Sequence, residues 1–109
     1  MSVVITSENF EKDAKRLLKK YKSLASEIAI LIDSLAATPT QGTALGRNCY
    51  KIRLSIESKG KGKRGGARII TCVVALKEEV ILLSIYDKAE QSDISDSELE
   101  RILRENQLD

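Results

Sequence analysis

Two apolar runs separated by three residues limit the fold more than any other feature of this chain. Residues 68–76 read RIITCVVAL and residues 80–86 read VILLSIY, with only Lys77, Glu78 and Glu79 between them. Both runs are rich in β-branched side chains, which fit a pleated sheet better than a helix. The three-residue link is short enough to reverse the chain, so the runs read as antiparallel neighbours. The first is too apolar for an exposed edge and belongs at the centre of a sheet.

The remaining segments read as partners for that sheet. Val3, Val4 and Ile5 open a short strand. Ser7 is placed to cap a helix, with Glu8 and Glu11 in its first turn. Phe10, Ala14, Leu17, Leu18 and Tyr21 then recur at helical spacing, and Lys12, Lys15, Arg16, Lys19 and Lys20 fill the other face. A break near Tyr21 leaves Ser23 to cap a second helix striped by Leu24, Ile28, Leu31, Ile32 and Leu35 and ended by Pro39. The stretch TPTQGTALGRN, with the single proline and two glycines, reads as a loop. CYKIRLSI alternates: Tyr50, Ile52, Leu54 and Ile56 share one face, Lys51, Arg53 and Ser55 the other. Ser95 and Glu98 have capping-box spacing before a short amphipathic helix. The order predicts one α+β domain over residues 1–109, with an N-terminal strand and a helical hairpin packed on one face of a small, mainly antiparallel sheet, then a short C-terminal helix.

Composition excludes several kinds of chemistry. The chain has no histidine, which removes the commonest general base and metal ligand. Cys49 and Cys72 are too few for a disulfide framework or a zinc site and sit in apolar strands, so they read as reduced core residues of a cytoplasmic protein. No cofactor and no metal are expected. The opening MSVVITSENF lacks a basic start and a long apolar run, so no secretory signal is expected, and with no run of 18 or more apolar residues in the sequence no membrane span is expected.

Charge is segregated along the chain. Residues 51–76 hold seven basic side chains against one acidic, net +6, and residues 77–109 hold four basic against ten acidic, net −6. A localised positive field favours a polyanion such as nucleic acid. Its densest part is SKGKGKRGGAR, residues 58–68, with five cations and four glycines in eleven positions. It links two expected strands, so it reads as a hairpin loop in which Lys59, Lys61, Lys63 and Arg64 reach phosphates. Gly60, Gly62, Gly65 and Gly66 would let the backbone approach a partner. A solvated loop beside an edge strand is the alternative; Lys51 and Arg53 on the adjoining strand extend the positive surface beyond the loop tip. No Gly-Lys-Ser/Thr ending marks a nucleotide-binding loop.

YKIRL, SKGKGKRGGARII and LLSIYDKAEQSDIS, in that order after a helical hairpin, resemble the RelE-like toxins of bacterial type II toxin–antitoxin systems, especially the HigB-like branch. The resemblance runs from the first helix to about Ser95. It implies a ribosome-dependent messenger-RNA endoribonuclease that needs no metal, in which a 2′-hydroxyl attacks the neighbouring phosphate, and it implies a cognate antitoxin that silences the toxin. Ribosome and messenger RNA would be the other partners. Carried over residue by residue, Lys51 would hold the phosphate. Arg53 stands where relatives have a catalytic lysine and would stabilise charge, not accept a proton. Arg68 would bind phosphate, and Lys88 would lie on the leaving side. Many relatives carry a late tyrosine where Ile94 stands, so the proton-transfer candidates are Lys51, Lys88 and Tyr86. A core-packed Tyr86 and a surface-paired Lys88 are the structural alternatives. Two other functions share the expected architecture: a ParE-like gyrase poison and a non-catalytic RNA-binding module.

Overall fold

The computed structural model describes residues 1–60 and 65–108. Five strands form one sheet in the order β1-β5-β4-β3-β2: β1 (Val3–Thr6), β2 (Thr43–Gly46), β3 (Cys49–Leu54), β4 (Ala67–Val74) and β5 (Glu79–Asp87). β1 runs parallel to β5, and every other pairing is antiparallel. The two apolar runs are the central pair, as their composition requires. Among the described residues no helix is long and apolar enough to cross a membrane.

Helices α1 (Glu8–Lys20) and α2 (Leu24–Ala37) follow β1. Ser7 caps α1 by accepting from the Phe10 amide at 3.0 Å, and its hydroxyl donates to the Leu83 carbonyl at 3.2 Å, tying the cap to the sheet. Phe10, Leu17, Leu24 and Leu35 pack on Ile52, Ile69, Leu82 and Ile85 in the larger core. Ser23 stands at the cap position of α2 but makes no capping bond. Its hydroxyl instead accepts from the Ser58 amide at 2.9 Å, and Glu27 accepts from the Glu57 amide at 2.7 Å. The start of the basic β3–β4 connection is thus fastened to α2.

Three features depart from the sequence reading. The expected loop 38–48 contains β2, which joins β3 through a two-residue turn with Arg47 at φ 56° and Asn48 at φ 64°. Left-handed backbone at both positions is the turn geometry that matches strand twist, and asparagine tolerates it well. The helices do not all lie on one face. The C-terminal helix α3 (Asp96–Glu105) packs Leu99, Ile102 and Leu103 against Cys49, Ile70, Cys72, Leu83 and Tyr86 on the opposite face. The apolar run of β4 ends at Val74, and Ala75–Lys77 form a 3-10 turn that leaves Leu76 fully exposed.

A bulge in β5 sets the face of each side chain beyond it. Ile70 pairs with Ser84 but Thr71 pairs with Leu82, so Leu83 is an extra residue. Val80 and Leu82 face the larger core; after the bulge it is Ile85 that faces it. Tyr86 therefore turns to the α3 face.

Candidate functional site

The central strands align cations in one row. Arg53 of β3 lies directly opposite Arg68 of β4, which lies opposite Tyr86 of β5. The Val73 amide donates to the Asn48 carbonyl at 2.9 Å, which makes that the hydrogen-bonded pair; Cys49/Cys72, Lys51/Ile70 and Arg53/Arg68 then fall on non-hydrogen-bonded positions. At such positions facing Cα atoms are about 4.5 Å apart and side chains are closest. Like charges at facing positions repel each other unless anions shield them. Arg53 is exposed, whereas Arg68 is buried and donates to the Ala67 carbonyl at 3.0 Å.

Lys51 precedes Arg53 on the same face, and its Nζ donates to Asp93 Oδ1 at 3.0 Å. The same oxygen accepts from the Ile94 amide at 2.9 Å and from the buried Tyr86 hydroxyl at 3.5 Å. The Lys51 hydrogen bond holds the Asp93 carboxyl below the usual carboxylate range. Burial, reinforced by Asp93, pushes Tyr86 up to about 12. Its phenol therefore stays protonated at neutral pH and serves as a donor, which fits a proton-giving role and not that of a resting base. Lys88 lies two residues beyond Tyr86, at the first position after β5. Its Nζ donates to the Ser92 carbonyl at 2.7 Å, and its amide to the Gly66 carbonyl at 3.0 Å.

Lys59 departs from the loop reading. Its ammonium is almost buried and pairs with Asp87 Oδ1 at 2.5 Å, while the Tyr21 hydroxyl donates to Asp87 Oδ2 at 2.5 Å. Asp87 is fully buried at the end of β5 and needs a counter-charge there. Burial alone would raise its pKa, but the bonds from Lys59, Tyr21 and the Ala89 amide outweigh that and hold it at about 2. Lys61, Lys63 and Arg64 lie outside the described residues. Gly66 is required by the chain's own close approach: a Cβ there would stand 2.1 Å from the Leu54 carbonyl oxygen.

Lys51, Arg53, Arg68 and Tyr86 are thus brought onto one sheet face, with Lys88 at its rim. Asp87 and Asp93 escaped the sequence reading as site residues because nothing local sets them apart from the other carboxylates of the acidic tail. The only available signal was their spacing on either side of Lys88. Among the described residues no group of three or more metal-ligating side chains forms.

A five-stranded sheet with a helical hairpin on one face and a cationic row on the other is an α+β architecture, and solved structures share the fold. No family model matches the sequence. The isolated RelE toxin of E. coli superposes with a TM-score of 0.63 at 18% identity, covering 95% of this chain and 98% of that one. A chain of the intact E. coli RelBE toxin–antitoxin complex gives 0.61 at 18% identity, over 80% of this chain and 96% of that one. A metal-bound toxin from Helicobacter pylori gives 0.55 at 18% identity, over 84% and 99%. The protein has a RelE-like fold.

Proposed function

We propose that this protein is the toxin of a type II toxin–antitoxin system and cuts messenger RNA on the ribosome. The observation that carries the proposal is the register of Arg53, Arg68 and Tyr86 in one row, with Lys51 beside it on the same face. In this reading the two guanidinium groups and Lys51 receive the scissile phosphate. They stabilise the charge that develops as the 2′-hydroxyl attacks. Tyr86, protonated and hydrogen-bonded, hands a proton toward the 5′ oxygen, with Lys88 alongside. Removal of the 2′-hydroxyl proton falls to Lys51 or Lys88, or to a group supplied by the ribosome. No metal takes part, and reaction on free RNA is slow because the ribosome aligns the strand.

Lys61, Lys63 and Arg64 are proposed to contact ribosomal or messenger RNA phosphates, without Lys59, which is committed to Asp87. The cytoplasm is the compartment this activity requires. A cognate antitoxin is the proposed protein partner, supported by the likeness to a chain of the RelBE complex.

Induced expression of wild type and of the Arg53→Ala, Arg68→Ala double variant, with messenger 5′ ends mapped, tests the reading. The expected result is cuts inside translated codons that disappear in the variant. Growth arrest with intact messengers and damaged DNA would assign the fold to gyrase poisoning instead.

A further inference from the structure

Cys49 and Cys72 are free thiols that the cationic site does not use. They face each other directly across β3 and β4, both free and both buried in the smaller core. Theirs is a non-hydrogen-bonded position, where Cα atoms lie about 4.5 Å apart. That separation falls within the range a disulfide spans without moving the backbone. Neither thiol is committed elsewhere by a strong bond; Cys49 Sγ makes only a 3.5 Å contact to the Arg47 carbonyl.

We propose that Cys49 and Cys72 are a redox modification site that closes reversibly to a disulfide when the protein meets a peroxide. The two thiols ionise unequally. A hydrogen bond from Cys49 lowers the pKa of Cys72, while that same interaction and burial raise the pKa of Cys49. Of the two, Cys72 borders an opening to solvent and is assigned as the attacking sulfur. That opening, about 290 Å³ and lined also by Arg47, Asn48, Val74 and Leu108, is the side from which a small oxidant would reach Cys72.

In the first step the Cys72 thiolate attacks one peroxide oxygen and the O–O bond breaks. Cys72 becomes a sulfenic acid, and the departing hydroxide takes up the thiol proton as water. In the second step the Cys49 sulfur attacks the sulfenic sulfur. The S–O bond breaks, the S–S bond forms, and a second water leaves with the Cys49 proton. Two thiols are oxidised and one hydrogen peroxide is reduced to two waters. The link would fasten β3 to β4 two residues from Lys51 and enclose the whole basic connection.

The test is to expose the purified full chain to hydrogen peroxide under native conditions, then alkylate it in denaturant and measure intact mass and peptide maps. The expected result is a fall from two free thiols to none, a mass lower by two hydrogens, and a Cys49–Cys72 peptide pair that dithiothreitol separates. In Cys49→Ala the reaction should stop at a Cys72 sulfenic acid that dimedone captures. Thiols that stay intact after both peroxide and oxidised glutathione would overturn the proposal, as would oxygen adducts without a link, or a link between two chains. The wild-type result decides the matter even where the alanine variant folds poorly.

Discussion

Asp93 already holds two of the groups that the proposed function gives to a phosphate. Its carboxylate occupies Lys51 and the Tyr86 hydroxyl, the groups proposed to receive RNA. An incoming phosphate must displace it. The contact is exposed, and exposed pairs contribute little, so the effect is modest. Asp93→Asn should tighten binding of a short single-stranded RNA roughly threefold, the size expected when one exposed ion pair stops competing. Adding Lys51→Ala should cancel the gain. Fluorescence anisotropy at fixed low salt reads both, and equal affinities for wild type and Asp93→Asn would show that Lys51 does not meet the RNA.

At the level of elements, Asp87 holds three pieces of the fold together: the end of β5, the C-terminal cap of α1 through Tyr21, and the basic connection through Lys59. Its folded pKa of about 2 lies below the usual 3.8. A depressed carboxylate stabilises the fold above its unfolded pKa, and that stability is lost as pH falls through the folded value. Chemical denaturation of wild type should therefore show stability falling between roughly pH 4 and pH 2. Asp87→Asn should flatten that limb and cost about 3 kcal/mol at neutral pH, because it leaves Lys59 buried without its partner. A variant as stable as wild type at pH 7 would show that Lys59 swings out to solvent.

The elements also mark how far the chain could be read unaided. α1, α2 and β3 were legible because their apolar spacing is local and strong; Lys51 and Arg53 were legible as the basic face of a strand, while Arg68 and Tyr86 became candidates only through the resemblance of three segments to RelE-like toxins. Four things were not. β2 is a four-residue edge strand with turn residues on both sides, and only its pairing with β3 makes it a strand. The β5 bulge, which decides that Tyr86 and not Ile85 joins the cationic face, depends on register with β4. α3 has an apolar stripe, but nothing in the stripe says which face of the sheet it covers. Lys59 looks like its neighbours in sequence, and only the distant carboxylate of Asp87 turns it inward.

On the scale of the whole molecule, the sheet divides the labour. One face carries α1, α2 and the larger core, and supplies most of the buried apolar surface. The other carries α3, the cysteine pair and the row of Arg53, Arg68 and Tyr86, so cations and a small core share one surface. Moderate fold likeness at low identity leaves function to be decided by that row. The most direct measurement is a single-turnover reaction of the purified protein with ribosomes carrying a defined messenger RNA, with the same RNA free in solution as the control. The proposed chemistry predicts cleavage only on the ribosome, without added metal beyond what ribosomes need, and products ending in a 5′-hydroxyl and a 2′,3′-cyclic or 3′-phosphate. Arg68→Ala should slow it by about 100-fold or more, the size seen when one charge-stabilising donor is removed. An intact messenger on programmed ribosomes, or an Arg68→Ala protein that cuts as fast as wild type, would contradict the assignment of this row as a nuclease site.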